Sequence, residues 1–174
     1  MALGSVHPRK NITGILSAFE EFKRSDPQNT CLLIVGRMAW KTGEIRKAYR
    51  THPFRDAIIF SGYLPDAIMF QALMRSLALI YVSFFEGFGL PIVEAMSLGV
   101  PVITSNRSSM PEIAGEAALL ADPDNSKDIA AAMKRIAEDP DLRTALIEAG
   151  VRRAGRYCWE ETARALGRII ETLS

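Results

Sequence analysis

The chain has 174 residues, 48% of them hydrophobic, enough for one well-formed core rather than two. Its 21 basic and 20 acidic side chains nearly cancel, so it lacks the strong cationic excess of a dedicated nucleic-acid binder. Two histidines, and two cysteines without metal-type spacing, leave little material for a His- or Cys-based metal site.

The opening MALGS offers only Ala2 and Leu3 as a strand stub before a glycine turn. An α/β unit ordinarily opens on a longer buried strand, so the expectation is a chain that starts within or just before the first strand of its domain. GSVHPRKN leads into the helical stretch NITGILSAFEEFKRS, with Ile12, Ile15, Leu16, Phe19 and Phe22 at helical spacing and Asp26-Pro27 as its stop. CLLIVG (31–36) reads as a buried strand ended by glycine. AIIFSG (57–62), LALIYVS (77–83), VPVITS (100–105) and AALLAD (117–122) repeat that design. DAIMFQALMRS reads as a helix with Ile68, Leu73 and Leu77 along it and Asp66 as its N-cap. From Asn125 the pattern is helical almost to the end, broken at Asp139-Pro140 and again over 155–159.

Strands apolar on both faces suit a parallel sheet covered by helices on each side. The prediction is an α/β fold: a doubly wound parallel sheet over residues 1–174, with residues 125–174 as a helical tail. Cys31 and Cys158 read as small buried thiols of a reducing compartment. The longest nearly unbroken apolar run, 77–85, is far shorter than the roughly 20 residues of a membrane span, so a cytoplasmic chain is expected.

In open parallel sheets ligands sit beyond the carboxyl ends of the strands. Arg9 and Lys10, at the start of a helix after the first strand, can form an anion site with the free N–H groups there, or decorate a solvated loop. FEGFGL follows the fourth strand and opens a helix at Leu90 or Pro91. Gly87 and Gly89, around Phe88, let the backbone approach a ligand closely. Glu94, one turn into that helix, can accept two hydrogen bonds from a vicinal diol such as a ribose offers, and Glu86 precedes it in the loop. For one glutamate, simple compensation of the helix dipole is the better reading. For both around Gly-Phe-Gly, a ligand site is. Neither GxGxxG nor GxxxxGK[ST] is present.

Together, EGFGLPIVEAMSLGVPVITSN, MPEIAGEAALLADPDN and HPRKN resemble the C-terminal domain of a family 4 (group 1) glycosyltransferase, a Rossmann-like half of the GT-B fold. The resemblance runs from about Gly4 to the end, where RYCWEETA is similar to the start of that family's last helix. It implies a nucleotide-sugar donor domain needing no cofactor and no metal. By that resemblance Glu94 binds the ribose and Glu86 the donor sugar. Backbone amides from Gly87, Phe88, Gly89 and Leu90 approach the sugar and pyrophosphate, and Arg9 and Lys10 hold the diphosphate. Gly62, Tyr63 and Leu64 hold the base. Members often carry an arginine directly after the first-loop glycine, whereas Ser5 follows Gly4 here. The implied reaction is retaining transfer of a hexose from a GDP- or UDP-linked donor, mannose first, to a glycan or lipid-linked acceptor. The acceptor would be bound by an N-terminal domain absent from this chain, which alone would turn over little. The rivals are a noncatalytic nucleotide-sugar-binding module, an epimerase or hydrolase on the same fold, and an interaction domain that has lost the site.

Several residues carry two readings. Trp40-Lys41 either line the donor cleft or decorate a loop. Ser108, Ser109 and Glu112 either border the donor or cap a helix. The arginines 143, 152, 153, 156, 164 and 168 either face an anionic membrane, making the full-length enzyme peripheral to its inner face, or line a solvated helix face. The second is favoured because Glu148, Glu160 and Glu161 interleave with them. Trp159, Leu166 and Ile169 are expected to pack onto the body of the fold. In a longer enzyme the last helix could instead return to the missing domain, leaving an apolar patch.

Overall fold

The computed structural model describes all residues except Pro27, Lys41 and Ser174, and all their side chains but that of Leu173. The expected Pro27 stop and the Lys41 half of the Trp40-Lys41 pair therefore lie outside the described residues.

Six parallel strands, β1 (Ala2–Leu3), β2 (Leu32–Val35), β3 (Ile58–Gly62), β4 (Leu79–Tyr81), β5 (Val102–Ser105) and β6 (Leu119–Ala121), form one sheet in the order 3-2-1-4-5-6. Each matches one of the glycine- or polar-ended apolar runs. The two-residue β1 is a full member of the sheet: Ala2 stands opposite Ile34 on one side and Ile80 on the other. Alternation along the strands divides the core between the two faces. Ile34, Ile80 and Ile103 pack under α1 (Ile12–Lys23) and α6 (Ser126–Glu138). Val35, Leu79, Tyr81 and Val102 pack under α3 (Asp66–Met74), α4 (Leu90–Ser97) and α5 (Met110–Ala114). α2 (Gly43–Arg50) lies between β2 and β3 in sequence, and α7 (Pro140–Ala154) and α8 (Trp159–Leu173) complete the chain.

The helix boundaries follow local chemistry. The Asn125 side chain accepts from the N–H groups of Lys127 and Asp128 to start α6, and Asp139 accepts from Leu142 N–H ahead of Pro140 to start α7. Each such cap contributes about 1 kcal/mol. α1 starts from Asn11, held at φ +55 with its side-chain amide donating 2.7 Å to Pro123 O.

Four expectations need correction. Asp66 is the first residue of α3, and Pro65 occupies the N-cap without a side-chain hydrogen bond. Met69 and Leu73, one helical turn apart, are buried, whereas Ile68 projects to the other side and is 53% exposed. Cys31 is exposed, because it precedes β2 at the amino edge of the sheet, and Cys158 is half-buried in the joint before α8. Trp159, Leu166 and Ile169 do not pack onto the body: they are 75%, 55% and 56% exposed. The tail arginines differ among themselves. Arg143 donates to the carbonyls of Ile136 and Ala137 at the end of α6, and Arg153 to those of Ile113 and Glu112.

Candidate functional site

The strand order reverses between β1 and β4: the chain leaves β1 toward β2 and leaves β4 toward β5. The connections then diverge, opening a crevice at the carboxyl edge where doubly wound sheets bind ligands. Both chemistry-bearing loops end there. A 3-10 turn, Pro8–Lys10, follows β1, and the FEGFG turn follows β4. Phe84 N–H donates 3.0 Å to Arg9 O and ties the two together.

Arg9, Lys10 and Glu86 converge in this crevice. Lys10 Nζ lies 2.7 Å from Glu86 Oε1, and Arg9 Nη1 2.8 Å from Oε2. Arg9 also donates to Phe85 O, and Lys10 to the Tyr81 hydroxyl at 2.7 Å. Burial by itself would raise the pKa of Glu86. Hydrogen bonds from Lys10 and Arg9 and the Lys10 charge outweigh it and hold the carboxyl below its usual range. The buried Ser83 hydroxyl faces this carboxylate closely enough to favour its charge, without a well-formed hydrogen bond to any group. Burial also lowers the pKa of Lys10 despite Glu86, and raises that of Tyr81, which stays neutral. Two cations against one carboxylate leave the Arg9–Lys10–Glu86 cluster net positive.

Gly4 makes room for this arrangement. It sits at φ +124, and a Cβ there would lie 3.1 Å from Lys10 Cε. Ser5 is exposed, and the first-loop cations that reach the crevice come from Arg9 and Lys10.

The turn 87–89 presents backbone donors. Gly89 is the N-cap of α4 in a left-handed conformation, and Leu90 and Pro91 open the helix. Among the described residues no acceptor meets the N–H groups of Gly87, Phe88 or Gly89. Gly87 and Phe88 are exposed, and the Phe88 ring packs edge-on against Tyr157, with 5.6 Å between ring centroids. Further into α4, Glu94 is half-buried, and its carboxylate has no hydrogen-bond or ion-pair partner among the described residues. Burial first, and the charge of Asp66 second, raise its pKa.

Gly62, Tyr63 and Leu64 stand farther off, at the end of edge strand β3. Gly62 O accepts from Gly36 N–H, Tyr63 lies under the Arg37 guanidinium at 4.6 Å, and Leu64 packs into the core. No hydrogen bond, ion pair or ring contact joins them to the Arg9–Lys10–Glu86 cluster among the described residues. Asp66, two positions on, connects this loop to Glu94 through its charge. Trp40 packs edge-on against His7, at 5.0 Å. Ser108 and Ser109 do not cap α5: both hydroxyls turn to the backbone of the FEGFG turn.

Sequence reasoning missed Tyr81, Asn11 and the grip of the two serines. The signal for Tyr81 is a polar tip in the last position of an otherwise apolar central strand. A cavity of about 330 Å³ opens at the opposite, amino edge of the sheet beside Phe19, Cys31 and Met133, away from all these groups.

Fold and crevice define an α/β domain whose switch point is lined by Arg9, Lys10 and Glu86. Residues 1–153 match the family described as Glycosyl transferases group 1. The chain belongs to that family, as its motifs imply. It is 34% identical over 158 residues to O-antigen chain mannosyltransferase B of Escherichia coli, a match covering 91% of this chain and 42% of that protein. Among solved structures it is similar to sucrose-phosphate synthase from Thermosynechococcus elongatus, with a TM-score of 0.85, 24% identity, and 99% of this chain and 45% of that one covered. It is also similar to Anabaena Alr3699/HepE in complex with UDP and glucose, with a TM-score of 0.83, 20% identity, and coverage of 98% and 48%. The chain thus spans less than half the length of each of these proteins.

Proposed function

We propose that this chain is the donor-binding half of a retaining, metal-independent glycosyltransferase that moves a hexose from a nucleotide diphosphate to a glycan or lipid-linked acceptor. The observation that carries this reading is the net-positive Arg9–Lys10–Glu86 cluster beside three unpaired N–H groups. Glycosyl transfer develops negative charge on the departing diphosphate. Fixed cations and amides aimed at it stabilise the transition state more than the ground state. Lys10 has three N–H donors, two of them used by Glu86 and Tyr81, which leaves the third for a phosphate oxygen. Arg9, half-exposed, has unused donors for the same purpose. Glu86, charged at neutral pH, faces the donor sugar, where positive charge grows at the anomeric carbon. The unpaired Glu94 carboxylate accepts from the ribose hydroxyls, and the loop 62–64 carries the base.

The mannosyltransferase relative supports a mannosyl donor, and the UDP and glucose bound to the Anabaena protein support a nucleotide-sugar ligand on this fold. The acceptor falls to a second domain outside this chain, so turnover by the chain alone is expected to be negligible.

Calorimetric titration with UDP, GDP, ADP and their hexose conjugates, in EDTA, tests the reading. Saturable binding of one nucleotide, weakened in Glu94→Ala, is the expected result. Silence from folded protein across the whole panel refutes a donor site in this chain. Hexose transfer by the two-domain enzyme then separates an enzyme from a noncatalytic module, and the anomeric configuration of its product tests retention.

A further inference from the structure

The loop after β5 (106–109) holds a residue in an uncommon backbone conformation, and its side chain reaches the donor turn. Ser108 sits at φ +58, a region few residues other than glycine adopt. Its hydroxyl donates 2.6 Å to Glu86 O and accepts from Glu86 N–H at 3.2 Å. One side chain thus closes both backbone groups of Glu86. The neighbouring Ser109 hydroxyl is shared between Glu86 O, at 3.0 Å, and Phe88 O, at 2.8 Å.

Peptide geometry gives this grip a consequence. In a trans peptide the carbonyl of one residue and the N–H of the next point in opposite directions within one plane. Drawing Glu86 O toward 106–109 therefore turns Gly87 N–H away from that loop. Holding Phe88 O does the same for Gly89 N–H. These are two of the three amides that have no acceptor among the described residues. Meanwhile the Glu86 side chain is held by Arg9 and Lys10.

We infer that Ser108 is a positioning residue for the donor diphosphate: its hydroxyl fixes the Glu86–Gly87 peptide plane so that Gly87 N–H faces the ligand. The inference rests on the donor reading above. Strain at Ser108 fits the same account, since the residue keeps this double contact at a positive φ that costs it energy.

Two variants separate hydroxyl from strain. Ser108→Gly removes the hydroxyl and suits the positive φ, whereas Ser108→Ala removes the hydroxyl and keeps the strain. Melting temperature is expected to follow the backbone, with Gly above Ala. Affinity for the nucleotide sugar that the wild type binds is expected to follow the hydroxyl. Both variants should weaken it about tenfold, the scale of one lost hydrogen bond to a charged group. In amide NMR the Gly87 N–H signal should shift on ligand addition in the wild type and lose that shift in Ser108→Gly.

Binding by Ser108→Gly as tight as wild type, with the Gly87 shift intact, overturns the inference while leaving the donor site standing. Affinity that tracks melting temperature across the pair overturns it as well. Absence of binding by the wild type brings down the donor reading, and this one with it.

Discussion

Two carboxylates eight positions apart meet opposite environments. Glu86 is nearly enclosed, its oxygens taken by Arg9 and Lys10 and its backbone by Ser108. Glu94, on the first turns of the helix that the same loop opens, has no partner and feels only burial and the repulsion of Asp66. The first environment stabilises a charged carboxylate in the free protein, and the second disfavours one. The difference assigns them different work. Glu86 organises the two cations that, in the proposed donor complex, meet the diphosphate. Glu94 holds capacity in reserve that only an incoming hydrogen-bond donor can satisfy.

The sharpest way to break this contrast is to remove each carboxylate in turn. Glu86→Ala leaves two adjacent cations, one of them largely buried, without a counter-charge. Losing one partner of a buried pair costs about 3–5 kcal/mol. Arg9 is 43% exposed, so the expected loss in a denaturant melt is reduced by screening to about 2–3 kcal/mol. Glu94→Ala relieves an unpaired, half-buried acid, so the melt should show no loss of stability. Nucleotide-sugar affinity should nevertheless fall about tenfold, as for a lost charged hydrogen-bond acceptor. A destabilised Glu94→Ala with unchanged affinity would reverse the assignment.

The glycines between the two acids sharpen the comparison at a smaller scale. Gly89 sits at φ +106, and a Cβ there would come 3.1 Å from Ile92 Cδ1, so Gly89→Ala should cost about 1–2 kcal/mol of stability. Gly87 has no positive φ, and a Cβ added to it would meet no atom within 4 Å. The fold does not require glycine at 87. Gly87→Ala should melt like wild type and lose donor affinity, because the space its methyl fills is the proposed ligand's.

Much of this was legible in the sequence, and the reasons differ by region. The strands announced themselves as apolar runs of four to seven residues ended by glycine or a polar residue. Even the two-residue β1 was visible as a stub before a turn. Loop-to-helix junctions carrying Arg9, Lys10, Glu86 and Glu94 could be placed because parallel sheets put such junctions on one edge. Tyr81 and Asn11 were not legible. Their partners lie 71 and 112 positions away, and even the polar tip that Tyr81 puts at the end of an apolar strand does not name the partner it meets. The serine grip was hidden for a related reason: SSMPE has the composition of a helix cap, and only the fold brings it against the FEGFG backbone. For α8 the amphipathic pattern was plain, but periodicity shows which face is apolar and not what covers it. Trp159 and Ile170, 75% and 66% exposed, are the result.

Titration is the mildest perturbation and the one that reads both acids at once. Glu86 has its folded pKa lowered, so its share of stability is fully present above the ordinary glutamate value and is lost only as pH falls through the lowered one. Glu94 has its folded pKa raised, so its ionisation takes stability away as pH rises from the ordinary value through the raised one. The two therefore oppose each other in a stability profile and act apart in a binding profile. Donor affinity that needs ionised Glu94 should begin to fall, on acidification, at a pH above that expected for an ordinary glutamate. Protonating Glu94 would disable the proposed ribose contact while Glu86 is still charged and the cation cluster intact. On the alkaline side the lowered pKa of Lys10 should start a second decline earlier than an ordinary lysine would. In Glu94→Ala the acid limb should move to lower pH, where Glu86 or the ligand phosphates titrate, while the alkaline limb stays in place. An acid limb unmoved by that substitution would mean that the unpaired carboxylate never met the donor.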